Sequence, residues 1–199
     1  MTGMTRPYRM QKRAEDRDET RERILKATMQ LHDEQGIAPT TFAQIAERAG
    51  VGPATVYRHF PRLGDLVRSC GMHVWQEMSP PVPDAVEAVF AGIERRAARV
   101  EKLLWELDAF YSRGALRLRL AARDRELIPE LDGFLSAVEG GVQALVAEAL
   151  RPRPKDTALQ VAFALTSFPV WLELDQRKLP RATFFAVWTQ MIEGGVAAA

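Results

Sequence analysis

One cysteine, three histidines and no apolar run long enough to cross a bilayer narrow what this chain of 199 residues can be. Cys70 alone excludes an internal disulfide framework and any multi-cysteine metal site, which fits a reducing compartment. The most apolar stretch, VAFALTSFPVWL at 161–172, is too short to span a membrane, and the first twenty residues lack the apolar core of a secretory leader. The expectation is a cytoplasmic protein with no membrane partner. A one-sided charge is also missing, since 27 Lys and Arg stand against 26 Asp and Glu, so nothing global draws the chain to a polyanion. Alternating strand patterns and internal repeats are absent, which leaves an all-α chain. So are the signatures of catalysis: there is no H-E-x-x-H, G-x-S-x-G or G-x-x-x-x-G-K-[ST], and GVGPAT lacks the lysine of a phosphate loop. No catalytic residue, metal or cofactor is expected.

What is present is 47% hydrophobic residues, enough for a real core, and an uneven spread of charge. The first 70 residues hold 12 Lys and Arg against 9 Asp and Glu, and the remainder 15 against 17. Arg6, Arg9, Lys12 and Arg13 precede the first acid, so residues 1–17 read as a flexible basic arm. From Asp18 to Gln35 the spacing of Ile24, Ala27 and Leu31 predicts a helix that Gly36 stops. Thr41 can cap a short helix with Phe42, Ile45, Ala46 and Ala49 on one face. Gly50 closes it. After the GVG connection, Pro53 suits the first turn of another short helix with Val56 and Phe60 facing inward.

Helix, short helix, glycine turn and short helix make a helix-turn-helix unit at 18–62. With Val56 and Phe60 inside, the 100° step puts Ala54 and Arg58 on the opposite side, flanked by Thr55 and Tyr57, with His59 at the border. Small residues allow close approach to a duplex, Arg58 and Thr55 suit base edges, and Tyr57 and His59 suit phosphates.

The stretch ILKATMQLHDEQGIAPTTFAQIAERAGVGPATVYRHFPRLGDL, residues 24–66, resembles the DNA-binding domain of TetR-family transcriptional regulators. That resemblance implies a homodimer that binds a palindromic operator as a repressor, with a C-terminal helical domain for a small effector. It makes Thr41 a phosphate-binding cap, Ala43, Gly52, Pro53, Ala54, Thr55 and Arg58 near-base positions, and Tyr57 and His59 backbone contacts. Two departures stand out. Leu63 replaces a frequent phosphate-binding lysine, for which Arg62 is the neighbouring substitute, and Ala43 replaces a residue that is polar in many relatives.

Residues 63–199 read as the helical ligand-binding and dimerisation domain, with helices near 63–78, 84–98, 100–112, 114–124, 130–150, 155–173 and 181–196. His73 and Glu77, one turn apart, are expected to line a cavity or to bond each other. Trp75, Trp105, Asp108, Phe110, Tyr111, Phe168 and Trp171 complete the candidate effector site, an apolar pocket with a few polar groups suited to a partly apolar or aromatic ligand. The last two helices are apolar over more than one stripe, and Ala162, Ala164, Gly194 and Gly195 allow close approach. A homodimer through these helices follows. A ligand-dependent activator, a helical dimer that does not bind DNA, and an enzyme are the alternatives.

Overall fold

The computed structural model of the chain describes residues 6–199, and among them there is no strand. Ten α-helices follow in order: α1 (Arg6–Gln35), α2 (Phe42–Ala49), α3 (Pro53–His59), α4 (Leu63–Met78), α5 (Val86–Val89), α6 (Arg96–Asp124), α7 (Pro129–Ala149), α8 (Asp156–Leu165), α9 (Phe168–Gln176) and α10 (Arg181–Ala198). They form two compact units, one of Met1–Val74 with Leu120–Leu131, the other of Trp75–Arg119 with Asp132–Ala199. The expected division after residue 62 falls inside the first unit, because Leu66 and Cys70 of α4 are buried in its core.

That core gathers the stripes anticipated from spacing: Ile24, Leu25, Ala27 and Leu31 of α1, Ile45, Ala46 and Ala49 of α2, Val56 of α3, and Phe60. Between α1 and α2 the chain turns at Gly36, whose φ of +101° favours glycine. A Cβ there would only displace the Arg123 guanidinium, the mobile end of a long side chain, so it is the positive φ that calls for glycine. Asp124, the last residue of α6, fixes the same turn. Its Oδ2 accepts the backbone N–H groups of Ile37 at 3.0 Å and Ala38 at 2.9 Å, and its Oδ1 accepts Arg123 Nε at 2.8 Å.

In the second unit α8 and α10 pack against each other, with Ala158, Leu159 and Ala162 facing Phe184, Trp188 and Ile192 in the interior. A Cβ at Gly195 would lie 2.8 Å from Leu165 Cδ1 and from Val161 Cγ1, so glycine permits this approach. Arg99 and Glu148 form a buried ion pair at 2.7 Å, and Arg99 also donates to the carbonyls of Ile93 and Glu148.

Four expectations are corrected. Residues 6–17 are helical, continuing α1, so the flexible arm does not extend over them; residues 1–5 lie outside the described residues. The helix expected at 84–98 is a 3-10 turn at Pro83–Ala85 followed by the single turn of α5, and α6 starts only at Arg96. The helices expected at 100–112 and 114–124 are one, because Gly114 leaves the helix intact while making room for the Met78 side chain. The helix expected at 155–173 breaks into α8 and α9. Pro169 has no N–H to give the Leu165 carbonyl, which instead accepts the Trp188 indole N–H at 2.7 Å. No single described helix is long and apolar enough to cross a membrane; the pair α8 and α9, bent by 42°, meets length and composition limits only jointly.

One buried group sets an acid response in the first unit. His32 is buried with no partner for Nε2, and burial holds its pKa down to about 4, against the pull of Asp33 and Asp124. Between pH 6.5 and 4 the unfolded chain takes up a proton that the folded chain refuses, so stability falls with pH across that window. The loss amounts to about 3 kcal/mol by pH 4. Urea unfolding of the wild type and His32→Leu at pH 7 and pH 4.5 is expected to show a smaller acid loss in the variant; equal losses would place the titration elsewhere.

Candidate nucleic-acid interface

α2 is framed at both ends. Thr41 is its N-cap: the hydroxyl accepts Gln44 N–H at 3.3 Å and the Gln44 side chain accepts Thr41 N–H at 2.9 Å, closing a capping box. At the other end Gly50 sits at φ +64°, the left-handed conformation that ends a helix, while Arg23 of α1 donates to the carbonyls of Ala49 at 2.6 Å and Gly50 at 3.2 Å. The sequence reading identified Thr41 and Gly50. It missed Gln44, although Thr-x-x-Gln spacing is the visible sign of a capping box, and Arg23, whose role depends on the folding of α1 across α2.

α3 starts at the N-cap Gly52 with Pro53 in its first turn. Val56 and Phe60 are almost completely buried, which fixes the rotation of the helix about its axis. Ala54 and Arg58 are exposed, Thr55 and His59 half-buried. Arg58 Nη2 lies 3.5 Å from Thr55 Oγ1, so both side chains rise from one patch. Tyr57 is 55% exposed and packs edge-on to Phe42 with ring centroids 4.7 Å apart, a contact that braces the ring. Ala43 and Arg62 are also exposed, as is Leu63 at 39%.

Gly52 differs from Gly50. Its φ of −73° suits any residue, and a Cβ there would meet nothing within 4 Å. No internal contact of the chain demands glycine at this point. At His59 burial comes first in lowering the imidazole pKa below its ordinary value, followed by the positive charges of Arg58, Arg17 and Arg21, with Asp18 opposing. The ring is therefore neutral at pH 7 and surrounded by cations, a setting in which an anion would favour its protonated form.

The candidate effector residues divide differently from expectation. His73 does not bond Glu77: its Nε2 is 3.4 Å from Glu22 of α1 and its Nδ1 3.2 Å from the Ser69 carbonyl, all within the first unit. Glu77 is exposed and pairs with Arg117. Trp75 meets Phe134 edge-on, and Trp105, 52% exposed, lies against Phe185 at 4.3 Å. Five of the nine do come together in the second unit. Tyr111, Phe168 and Trp171 form a triangle of rings with centroids 5.5 to 5.9 Å apart, and Phe110 touches Tyr111. Trp171 Nε1 donates to Asp108 at 2.9 Å, Arg181 also donates to Asp108, and the Tyr111 hydroxyl donates to the Thr166 carbonyl at 2.9 Å. Burial pushes the Tyr111 phenol well above its ordinary pKa, so it stays a donor.

Comparison with known proteins agrees with this geometry. Residues 24–70 match the family described as bacterial regulatory proteins, tetR family. The HTH-type transcriptional regulator SrpR of Pseudomonas putida is 24% identical over 186 residues, covering 79% of this chain and 87% of that protein. An uncharacterized HTH-type transcriptional regulator of Mycobacterium tuberculosis is 28% identical over 159 residues, covering 79% and 77%. Among solved structures, the multidrug binding protein EbrR complexed with imidazole aligns with a TM-score of 0.60 at 20% identity, covering 87% of this chain and 89% of that one. The TetR-like regulator LfrR of Mycobacterium smegmatis in complex with proflavine aligns with a TM-score of 0.51 at 24% identity, covering 92% and 97%. The two structures speak to the fold alone.

The two glycines flanking Val51 are expected to respond oppositely to substitution. Gly50→Ala forces a left-handed alanine and costs about 1 kcal/mol. Gly52→Ser meets open space and supplies a capping hydroxyl, so stability holds or rises by a few tenths. Denaturant unfolding at pH 7 measures both. A Gly52→Ser variant as damaged as Gly50→Ala would show that glycine at 52 serves the fold.

Proposed function

We propose, from the match of residues 24–70 to the tetR family of bacterial regulatory proteins, that this chain is a dimeric cytoplasmic repressor of that family. In this reading it binds a palindromic DNA operator and leaves it when a small, partly apolar or aromatic effector binds. The observation that carries the proposal is the outer face of α3. Gly52 and Ala54 offer no bulk, and Thr55 and Arg58 rise together with Tyr57 and His59 at the margins. A helix that enters the major groove needs small residues where it approaches most closely, a fork such as Arg58 for guanine O6 and N7, and donors at its edges for phosphates. Thr41, at the positive end of α2, is suited to a phosphate, and exposed Arg62 takes the place of the lysine that Leu63 replaces.

A palindrome requires two copies. Gly195 and Ala162 are consumed in packing α8 on α10, whereas Ala164 and Gly194 are exposed and Phe163, Leu172, Val187 and Met191 only half-buried. Apolar and small residues on these helices favour a second copy as their cover. For the effector, the cluster of Tyr111, Phe168 and Trp171 with Asp108 brings together aromatic rings and a carboxylate, which are closed on one another here and would part to admit a ligand, and relatives of the same fold hold proflavine and imidazole. Release follows from geometry: two α3 helices must reach grooves about 34 Å apart, and α4 and α6 are continuous helices that carry the chain between the units. An effector that prefers a state with another spacing weakens operator binding by the difference in its affinities.

Selection of duplexes from a random library by the purified chain at physiological salt tests the proposal. An enriched inverted repeat is expected, bound at least 1,000-fold more tightly than random duplex, and Gly52→Ser is expected to lose it while remaining folded. No enrichment at any effector condition would contradict it. Light scattering at micromolar concentration should give twice 22.3 kDa; a single-chain mass would remove the dimer.

A further inference from the structure

α1 is longer than its core contacts require. Its buried residues begin at Ile24, whereas residues 10–19 are all exposed. Two helical turns and more therefore bury nothing, and the arginines on them line up. Arg13, Arg17 and Arg21 recur every four residues and share one side, drifting by about 80° from first to last. Arg9 continues the series in sequence. Glu15, Asp18, Glu19 and Glu22 fall on the other side together with Lys12, and Asp16 lies at the border. The arginine side sets like charges one turn apart, which opposes the helix, whereas the other side is mixed, with Lys12 four residues before Asp16 and Glu19 four before Arg23.

The basic side adjoins α3. The Arg21 guanidinium lies over the Phe60 ring, 5.0 Å from its centroid, and donates to Ser69 at 2.9 Å, which places it at the C-terminal end of α3. Arg17 and Arg21 are close enough to His59 to act on its imidazole together with Arg58. From there Arg17 and Arg13 follow at steps of about 6 Å along α1. Neither makes an ion pair or hydrogen bond among the described residues.

We propose that Arg13, Arg17 and Arg21 form a second DNA surface, a phosphate track that continues from Arg58 and His59 and grips the backbone of the duplex outside the bases read by α3. The occupant is duplex DNA because the row is cationic, regularly spaced and continuous with the α3 face, and because the contacts it offers are to charge rather than to base edges. The inference rests on the operator reading and adds a flanking footprint to it. The track carries no sequence information and holds the register and orientation of the reading helix.

The test uses the full chain and three proteins: wild type, the double variant Arg13→Gln with Arg17→Gln, and Tyr57→Ala. Glutamine keeps helix propensity, both positions are exposed, and circular dichroism confirms the fold. Affinity is measured between 50 and 200 mM salt on the selected duplex with and without ten flanking base pairs on each side, and on a random duplex. Wild type is expected to bind the flanked duplex more tightly than the trimmed one, an advantage the double variant loses. The slope of log affinity against log salt on the flanked duplex should fall by about 2 per protomer in the double variant, near 0.9 for each phosphate contact removed. Tyr57→Ala, which removes a backbone contact of α3, should weaken binding to all duplexes alike while keeping a wild-type gap between flanked and trimmed duplex. Equal slopes for wild type and the double variant on every duplex would overturn the track, whatever Tyr57→Ala does. Absence of sequence preference in the wild type, with a reduced slope in the double variant, would instead overturn the operator reading and leave the track standing.

Discussion

The burial of Val56 and Phe60 is the constraint on which the rest depends. A seven-residue helix has too few hydrogen bonds to persist alone, so α3 exists because its inner face completes a core with Ile24, Leu31, Ile45 and Leu66. Once those two side chains are inside, the helical period leaves no freedom for the others. Ala54 and Arg58 must face out, Thr55 must stand beside Arg58, and Tyr57 must lie over Phe42. The functional face is thus a by-product of core packing. Chemistry at 52–59 can vary without disturbing the fold, provided residue 56 and residue 60 still fill their places.

Much of this was legible in the sequence because it depends on neighbours close along the chain. Thr41, Gly50 and Pro53 are punctuation read by local rules, and the apolar spacing of Ile24, Ala27, Ile45, Val56 and Phe60 gave the inner faces directly. Where long-range partners decide, the reading failed. A break was expected between 112 and 114, yet Gly114 is the place where Met78 packs inside one continuous helix; Pro169 broke a helix whose orphaned carbonyl Trp188 then satisfied. His73 found Glu22 of α1 rather than Glu77 one turn away. The effector residues were legible only as aromatic composition. Spacing cannot tell rings that pack on one another, as Tyr111, Phe168 and Trp171 do, from a ring such as Trp105 that remains half in solvent.

The α1–α2 turn shows how a distant part of the chain enters the reading unit. Asp124 closes α6 and holds the Ile37 and Ala38 amides, and Arg123 fills the space over Gly36. The Arg123 hydrogen bond first, and then those two amides, outweigh burial and hold the Asp124 pKa at about 2, so the carboxylate is charged at every pH at which the protein works. A segment 86 to 87 residues away in sequence thereby belongs to the same compact unit as α2 and α3. The end of α6 thereby helps to fix the turn that leads into α2.

Operator recognition in this protein depends on α3 reading bases. The most direct measurement is the affinity of wild type and Arg58→Ala for every single-base variant of the selected operator at fixed salt. If Arg58 forks onto a guanine, the variant loses discrimination at one position in each half-site, worth about 1–3 kcal/mol, and keeps its preferences elsewhere. An equal weakening across all sequences, with every preference intact, would make Arg58 a phosphate contact and contradict the assignment of α3 as the reading helix.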